Sequence, residues 1–497
     1  MPGFLYRRLR ARSQSHRDDG LTRREMIART LAGSAGLLLS DRLVRATASQ
    51  ARSTAPRVLI VGGGFAGLAA AVELHAAGYD VHVFESRTRL GGRVVSFHDL
   101  APGATVEGGG ELVGSNHPAW LSYARRFGLD FIDVPDDDGN APVVIDGRAL
   151  SAHDADALWH EIEGGYAALN TLAAPVDAAA PWTSPDAVAL DRATVAEWLE
   201  RAPLSPLARR ALDAEFAADN GVETAWQSQL GNLAQIKGGG LERYWTDSEV
   251  FRCKGGNQQL AEKLAGALPS GTVRRNAVVT AIVTTDRLAR VTLRDGTTLE
   301  GDAVVLAVPP SVWPRIAIEP PLPSALRPQM GTNVKYLALV RSRFWPRANI
   351  TADWLSNGPP QLTWEATANQ PSAMAVLTSF AGGEAAETCR SWRPADRANG
   401  YLRRLEVAYR EIAREFVKGR FMDWPSDAWT RASYSFPAPG EVTTVGPILA
   451  SGLGRLHFAG EHVCPAFVGY MEGALESGIA VAKRLAAADG IVRPDAA

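Results

Sequence analysis

The stretch VLIVGGGFAGLAAAVELHAAGYDVHVFE, residues 58–85, restricts the fold of this chain more than any other part of the sequence. Its first apolar run, residues 58–61, predicts a buried parallel strand, and residues 81–84 predict a second one. The Ala-rich apolar segment between them predicts a helix. Three glycines with GxGxxG spacing follow the first strand: Gly62, Gly64 and Gly67. This order of elements predicts an α/β unit that binds a dinucleotide.

Each part of this unit has a physical role in holding a dinucleotide. Gly62 permits the tight turn, Gly64 lets the backbone approach a pyrophosphate, and Gly67 lets the helix pack closely on the strand. The helix N-terminus offers free N–H groups and a positive dipole end to the phosphates. Glu85, eighteen residues after Gly67, is placed to accept hydrogen bonds from a ribose diol. The predicted contacts of this unit are Gly62, Gly64, Phe65, Ala66, Gly67, Glu85 and Ser86.

Two further glycine clusters follow and favour a long, bent dinucleotide. Gly91-Gly92-Arg93 provides another close backbone approach and a fixed cation. The segment VEGGGELVG, residues 106–114, provides backbone without side chains, against which a flat ring can lie. Either cluster alone is equally consistent with an ordinary turn, so the inference depends on their succession. The predicted cofactor contacts here are Gly92, Arg93, Gly109, Gly110, Glu111 and Leu112.

Size and composition set broad limits on the function. A chain of 497 residues is too long for one ordinary core and predicts two linked domains. Residues 1–48 are strongly basic while the whole chain has a net charge of −2, so the folded part is acidic and no nucleic-acid partner is expected. The three cysteines lie far apart and predict neither a disulfide framework nor a metal site. No apolar run has the length of a transmembrane helix.

The first 48 residues resemble a twin-arginine export signal. Arg23 and Arg24 precede a modestly apolar run, and a small-x-small cleavage site lies just before Ser49. A disordered basic tail is the alternative. The twin-arginine route exports folded proteins. A protein that receives its cofactor in the cytoplasm must be exported in the folded state and therefore needs this route. We therefore expect a periplasmic or secreted mature protein that begins near Ser49, with the twin-arginine translocation machinery as a partner.

Beyond these motifs, residues 57–488 resemble the flavin-containing amine oxidase family, which includes monoamine oxidases, polyamine oxidases and L-amino-acid oxidases. The segment CKGGNQQLAEKLAGAL, residues 253–268, is similar to the family's GGxxxL element at the start of a helix. Residues 277–310 are similar to its returning sheet and contain an Asp-Gly hairpin turn. The most specific match is GRLHFAGEHVCPAFVGYMEGALESGIAVAKRL, residues 454–485, whose last part has apolar positions at helical spacing.

The resemblance implies noncovalent FAD and an α/β fold of two domains. The FAD-binding domain is expected to be Rossmann-like and discontinuous, and the substrate domain to combine a mixed sheet with helices. The implied boundaries are 56–130, 250–310 and 430–490 for the FAD-binding domain, and 131–249 and 311–429 for the substrate domain. The resemblance further implies that the cofactor touches Val279, Gly460, Glu461, Tyr470 and Met471.

The resemblance also assigns roles around the flavin. Lys335 aligns with the lysine that holds a water against flavin N5 and assists the reaction with oxygen, although from the residues alone a solvent-facing lysine on an edge strand is equally consistent. Tyr434 and Tyr470 align with two aromatics that face each other and guide the amine, although core packing is the usual role of a buried tyrosine. Phe467 is expected to line the substrate pocket. Ser433 stands where membrane monoamine oxidases have the cysteine of the covalent flavin link, and a serine cannot form that thioether.

One position departs from the L-amino-acid oxidases of the family. They place an arginine for the substrate carboxylate where this chain has Leu112, beside Glu111. A leucine offers no charge and a neighbouring glutamate repels a carboxylate, which favours an amine over an amino acid as the substrate. Glu111 either attracts a second cationic group of the substrate or braces the turn.

The implied function is oxidation of a primary or secondary amine to an imine, which water hydrolyses to an aldehyde and ammonia or an amine. Oxygen is reduced to hydrogen peroxide. The expected partners are a small-molecule amine and oxygen, with no membrane anchor, and a homodimer is left open. The alternatives are an L-amino-acid oxidase, a related flavoprotein acting on C–C or porphyrin bonds, and an exported flavin-binding protein without amine turnover.

The export signal leads to a testable prediction. The double substitution R23K with R24K should leave the full-length protein in the cytoplasm, because the translocation machinery reads the arginine pair. Immunoblots of cytoplasmic, periplasmic and secreted fractions measure this, with the unsubstituted chain as the control. An unchanged distribution would contradict the export signal and favour the basic tail.

Overall fold

The computed structural model describes residues 55–134 and 139–491, so the predicted export signal lies outside the described residues. The strands in chain order are β1 (Arg57–Val61), β2 (Asp80–Phe84), β3 (Ser96–Phe97), β4 (Val106–Glu107), β5 (Phe131–Asp133), β6 (Val143–Ile145), β7 (Arg148–Ala149), β8 (Phe251–Cys253), β9 (Val273–Arg274), β10 (Val279–Thr284), β11 (Ala289–Leu293), β12 (Thr298–Gly301), β13 (Ala303–Leu306), β14 (Ala317–Glu319), β15 (Asn333–Val340), β16 (Trp354–Ser356), β17 (Leu362–Glu365), β18 (Ala375–Gly382), β19 (Phe416–Asp423) and β20 (Leu456–Phe458). The α-helices are α1 (Phe65–Ala76), α2 (Pro118–Phe127), α3 (Ala152–Ala173), α4 (Ala187–Arg192), α5 (Val195–Arg201), α6 (Pro206–Asn220), α7 (Gln229–Gly238), α8 (Glu242–Asp247), α9 (Gln258–Gly266), α10 (Gly383–Ser391), α11 (Arg397–Leu405), α12 (Ile412–Glu415), α13 (Glu441–Thr444), α14 (Gly446–Ser451) and α15 (Met471–Ala488).

The first sheet is parallel, with five strands in the order β20-β13-β1-β2-β9 among the described residues. β1, α1 and β2 form the strand–helix–strand unit predicted from residues 58–85, and that prediction is confirmed. β13 is buried along its whole length, as a strand covered on both faces must be. Because the strands are parallel, the loops that follow β1, β2, β13 and β20 meet at one edge of the sheet.

Helices α1 and α15 pack closely against each other, although they lie about four hundred residues apart in the sequence. Leu475, Ile479 and Ala482 of α15 are buried, at the helical spacing that the sequence predicts. Gly478 allows the close approach, because a Cβ there would overlap the Ala66 carbonyl oxygen and lie 2.9 Å from the Ala69 Cβ. The two helix N-termini are thereby held beside the same edge of the sheet.

A second sheet has seven strands in the order β19-β15-β18-β17-β16-β6-β7 in the described ranges, and most of its pairs are antiparallel. β15 and β18 are buried along their whole length. Residues of α3, α6 and α7 share a core with this sheet that contains Trp159, Leu212 and Trp364. β10, β11, β12 and β14 form a separate sheet, and Gly296, with φ 87°, lies in the predicted turn between β11 and β12.

The two large sheets draw their strands from different parts of the chain. The parallel sheet uses residues within 56–130, 250–310 and 430–490, and the seven-stranded sheet uses residues within 131–249 and 311–429. The predicted α/β fold class, with a dinucleotide-binding unit and a second unit of mixed sheet and helices, is confirmed. Strand pairing does not assign every connecting segment to one unit, so the domain boundaries stay a prediction.

The contact between α1 and α15 leads to a second prediction. The substitution G478A should lower the free energy of unfolding by about 1–3 kcal/mol, because the added methyl group forces the two helices apart. G164A is the matched control, since Gly164 lies in α3 with no heavy atom within 4 Å of an added Cβ, and alanine there should be neutral or stabilise by about 0.5–1 kcal/mol. Denaturant unfolding curves measure both variants. Equal destabilisation would show that helix contact is not the cause.

Candidate functional site

A cavity of about 240 Å³ opens where the parallel strands end at their carboxyl termini. Its walls come from the loops after β1, β2, β13 and β20, from residues 109–112 of the glycine turn (residues 107–112) and from β15. The sequence-predicted residues that line it are Gly62, Gly64, Phe65, Ala66, Glu85, Ser86, Gly92, Arg93, Gly109, Gly110, Glu111, Leu112, Lys335, Tyr434, Gly460, Glu461, Tyr470 and Met471. The structure therefore brings together residues from both ends of the chain.

Three predicted site residues do not line this cavity in the described part of the chain. Gly67 lies behind the wall, where a Cβ would overlap the Gly62 carbonyl oxygen, so it serves the close packing that its spacing predicts. Val279 packs in the core beneath the four-stranded sheet, with its strand paired to β11. Phe467 ends the short 3-10 turn Pro465–Phe467, and its ring packs edge-on against His117, 5.4 Å away. Neither residue lines this cavity, so the assignments of Val279 to the cofactor, through the backbone of its strand, and of Phe467 to the substrate pocket stay predictions.

The N-terminus of α1 fits an anionic group. α1 begins at Phe65 and its N-cap residue, Gly64, makes no side-chain capping hydrogen bond, so the first-turn amides face the cavity without a cap. A Cβ on Gly64 would meet only Gly92 Cα, at 3.9 Å, which leaves the backbone open to a ligand. Glu85 accepts hydrogen bonds from the amides of Gly63 and Arg87, both at 2.8 Å, which hold its carboxylate beside the turn. These features fit the pyrophosphate and ribose of a dinucleotide.

A second helix N-terminus, that of α15, opens on the same cavity at Met471. Glu461 holds the loops around it, because its carboxylate accepts hydrogen bonds from Arg93 Nη1 at 2.8 Å, Ser435 Oγ at 2.6 Å and the Gly469 amide at 3.0 Å. Burial works to raise the pKa of Glu461, but the Arg93 charge, together with His462 and the hydrogen bonds from Ser435 and Arg93, lowers the pKa below its ordinary value. The positive end of the α15 dipole thus faces the cavity at a fixed place.

Glu111 in the glycine turn is a buried anion that the chain itself pairs. Its Oε1 accepts hydrogen bonds from Arg252 Nε and Trp364 Nε1, each at 2.9 Å, and its Oε2 accepts one from Lys335 Nζ at 2.9 Å. Burial works to raise the pKa of Glu111, but the charges of Lys335 and Arg252 lower it below its ordinary value. Because the Glu111 carboxylate already pairs with two cations, the structure gives no support to the hypothesis that it attracts a second cationic group of the substrate, which stays a prediction. The alternative, that Glu111 braces the turn, fits the structure.

Lys335 lies in β15, between β19 and β18, and is buried. The alternative of a solvent-facing lysine on an edge strand is therefore wrong. Lys335 Nζ donates to the Gly109 carbonyl oxygen at 2.8 Å and lies 5.3 Å above the centre of the Trp364 ring. The ammonium group consequently sits where the seven-stranded sheet meets the glycine turn, on the wall of the cavity.

The two predicted tyrosines line the cavity from separate loops. The Tyr434 hydroxyl donates to the Asp219 carbonyl oxygen at 2.6 Å, while the Tyr470 ring packs edge-on against His117 with centres 5.5 Å apart. Burial raises the pKa of both hydroxyls well above the ordinary value, so both stay neutral. Within the described residues no ring contact joins Tyr434 to Tyr470, and each ring is held by a different neighbour.

Sequence reasoning missed one wall of the cavity. This wall carries two carboxyl groups and several polar or aromatic side chains: Asp219, Gln235, Tyr244, Glu249 and Phe380. Burial, together with the Glu249 carboxylate, raises the pKa of Asp219 to about 7. These residues come from α6, α7, α8, β18 and the segment before β8, so no local motif joins them. Arg252 was also missed, although it directly precedes the segment that resembles the GGxxxL element.

The fold and the cavity define a two-unit α/β protein in which a nucleotide-binding fingerprint shares a cavity with a buried lysine and two tyrosines. The chain belongs to the flavin containing amine oxidoreductase family, which it matches over residues 65–486. The predicted resemblance is confirmed. The chain is a flavin-dependent oxidoreductase that acts on CH–NH groups of amines.

Two relatives match most of the chain. An L-amino acid dehydrogenase of Synechocystis is 28% identical over 463 residues, which cover 88% of this chain and 96% of the relative. A probable flavin-containing monoamine oxidase A of Dictyostelium discoideum is 26% identical, covering 87% of this chain and 98% of the relative. Both therefore match along nearly their full length.

Solved structures of similar fold cover the chain to the same extent. Wild-type putrescine oxidase bound to putrescine has a TM-score of 0.78 at 25% identity, covering 87% of this chain and 99% of that one. Cyclohexylamine oxidase from Brevibacterium oxydans has a TM-score of 0.79 at 24% identity, and the match covers 88% of this chain and 100% of the oxidase. At this identity the likeness shows the fold alone.

Among the described helices, none is long and apolar enough to cross a membrane. In the same part of the chain, no group of three or more His, Cys, Asp or Glu side chains could hold a metal ion.

Proposed function

We propose that the chain is an amine oxidase that binds FAD noncovalently and oxidises a primary or secondary amine, with oxygen as the electron acceptor. The observation that carries this proposal is one cavity that is lined both by the dinucleotide fingerprint and by Lys335, Tyr434 and Tyr470. A bound flavin would supply the two-electron redox chemistry, by which amine and oxygen become imine and hydrogen peroxide. Water hydrolyses the imine to an aldehyde and ammonia or an amine.

The chain's own residues supply binding and orientation. The α1 N-terminus binds the pyrophosphate and Glu85 binds the ribose. The α15 N-terminus stabilises negative charge at the far end of the cofactor. Tyr434 and Tyr470 orient the substrate, and Lys335 assists the reaction with oxygen.

The side chain at position 433 supports a noncovalent cofactor. Ser433 is buried and donates a hydrogen bond to Asn333 Oδ1 at 2.6 Å. None of the residues that line the cavity in the described ranges is a cysteine. The chain therefore presents no thiol to the flavin, and the fingerprint end of the cavity favours FAD over a mononucleotide.

Denaturation tests the form of the cofactor. After unfolding in guanidinium chloride and filtration, we expect all of the yellow colour in the filtrate, where chromatography should identify it as FAD. A flavoprotein with a covalent flavin, treated in parallel, is the control and should retain its colour on the filter. Colour retained with the protein, or FMN in the filtrate, would contradict the proposal.

The charges on the cavity wall that contains Asp219 and Glu249 favour a cationic substrate over a carboxylated one. Asp219 and Glu249 line the cavity, and Lys335, a buried cation that also lines it, is paired with Glu111. A substrate carboxylate would meet like charges there, whereas an ammonium group would meet opposite ones. Leu112, also on the wall, offers a carboxylate no hydrogen bond.

One other function has specific support. L-amino-acid oxidation is favoured by the name of the Synechocystis relative, an L-amino acid dehydrogenase. Export by the twin-arginine route remains a proposal that rests on residues 1–48 alone, and the domain division and a homodimer are proposals as well.

Matched substrate pairs separate these functions. We expect kcat/KM to favour 2-phenylethylamine over phenylalanine, and 1,5-diaminopentane over lysine, by at least about tenfold, because each pair differs only in the carboxylate. D219N should reduce the preference several-fold, and D130N, a substitution at an exposed aspartate, is the control. Peroxide release measures the rates. A preference for the carboxylated member would favour an L-amino-acid oxidase.

The pKa of Asp219 adds a pH dependence to the same experiment. Asp219 loses its charge as the pH falls through about 7, so KM for 1,5-diaminopentane should rise on acidification in the unsubstituted enzyme. The rise should be smaller in D219N, which carries no charge at any pH. Identical profiles would show that Asp219 does not contact the substrate.

A further inference from the structure

We infer that Glu111 is a positioning residue for the reaction with oxygen, which keeps the Lys335 side chain charged and directs its remaining N–H into the cavity. The inference rests on the proposed function, because it concerns the half-reaction in which oxygen is reduced. It assigns to the glycine turn a role beyond contact with the cofactor.

The hydrogen bonds of Lys335 leave one of its N–H groups for the cavity. An ammonium group has three N–H donors. Two of them are used within the protein, by Glu111 Oε2 at 2.9 Å and by the Gly109 carbonyl oxygen at 2.8 Å. The Trp364 ring covers one side of the group. The remaining N–H is left for the cavity, whose wall includes Lys335.

Glu111 is the counterion of two buried cations. Glu111, Lys335 and Arg252 are exposed by only 4%, 6% and 3%, so one carboxylate serves two cations away from water. Without it, two buried cations would lie close together with no counterion, which is costly. Arginine keeps its proton under these conditions and lysine releases it. Glu111 is thus the group that keeps the positive charge on Lys335.

The other charged groups near Lys335 do not replace Glu111. Glu107 lies on the same turn, but burial raises its pKa to about 8, so it is mostly neutral at neutral pH. Glu365 is paired with Arg343 at 2.7 Å, and its carbonyl oxygen accepts from Arg252 Nη2 at 2.8 Å. Glu111 is therefore the carboxylate that balances Lys335 in the described part of the chain.

The reaction with oxygen needs this charge. Reduction of oxygen to hydrogen peroxide takes two electrons and two protons, and negative charge develops on oxygen as the electrons arrive. A fixed ammonium group on the cavity wall stabilises that charge without reorganising. Removal of the amine hydride places no such demand on Lys335, so the two half-reactions should respond differently to a change at Glu111.

Stopped-flow kinetics of the holoenzyme test the inference with E111Q, which keeps the shape of the side chain and removes its charge. We expect the rate of reoxidation by oxygen to fall at least about tenfold at alkaline pH and to recover on acidification, as Lys335 regains its proton. Anaerobic reduction by 2-phenylethylamine should change less than about threefold. E107Q is the matched control, the same substitution at a buried acid of the same turn, and should keep the unsubstituted rate up to about neutral pH, where Glu107 is itself mostly uncharged. A reoxidation profile of E111Q equal to that of E107Q would overturn the inference.

Acylation of lysine provides a readout independent of turnover. The full-length protein is treated with acetic anhydride at several pH values, and mass spectrometry measures modification of the peptide that contains Lys335. We expect Lys335 of E111Q to react at a lower pH than Lys335 of the unsubstituted protein and of E107Q, because only an uncharged amine is acylated. Equal reactivity in all three would overturn the inference whatever the enzyme oxidises.

Two further variants separate the possible failures. E111D keeps the charge but shortens the side chain, so it should slow reoxidation at every pH without the alkaline loss, and it serves if E111Q does not fold. Unchanged reoxidation in E111D would contradict the positioning role. K335M tests the proposed function itself, since it should slow reoxidation far more than reduction. If K335M slows neither half-reaction, the proposed role of Lys335 is wrong. If K335M slows reoxidation and E111Q does not, only the proposed role of Glu111 is wrong.

Discussion

The buried ion pairs of Glu111 are the interaction on which the rest of the site depends. They join the glycine turn to the seven-stranded sheet through Lys335 and Trp364, and to β8 through Arg252. A buried carboxylate that lost one of these partners would leave an uncompensated charge, which typically costs about 3–5 kcal/mol. The turn and the sheet therefore have one relative position in which all of the charges are paired, and this position closes one wall of the cavity.

Close contacts of the backbone fix the other neighbours of the glycine turn, Arg93 and Met471. A Cβ on Gly109 would overlap the Arg93 carbonyl oxygen, and one on Gly110 would lie 2.9 Å from Met471 Cγ. The glycine turn can approach the start of α15 only because these side chains are missing. Gly478 in turn draws α15 against α1. The result is a cavity whose two helix N-termini are placed for the two ends of one long cofactor.

The parts of the fold that were predictable from the sequence are those with a local pattern. The strand–helix–strand unit from β1 to β2 and the helix α15 have clear apolar periods and glycine spacing, and both are present. Asp219 and Glu249 were missed because tertiary packing alone places them on the cavity wall. Val279 and Phe467 were assigned by resemblance, and these assignments stay predictions. Strand pairing with β11 places the Val279 side chain in a core, and a tight 3-10 turn packs the Phe467 ring against His117.

The central claim is that the cavity holds a flavin whose reactive end receives an amine beside Lys335. Anaerobic mixing of the purified holoenzyme with excess 2-phenylethylamine or 1,5-diaminopentane tests it most directly, with the absorbance of the oxidised flavin as the signal. The account predicts that the flavin is bleached in a single turnover and that admitting oxygen restores its colour and yields hydrogen peroxide. Flavin that stays oxidised with both amines and with other simple amines would contradict it.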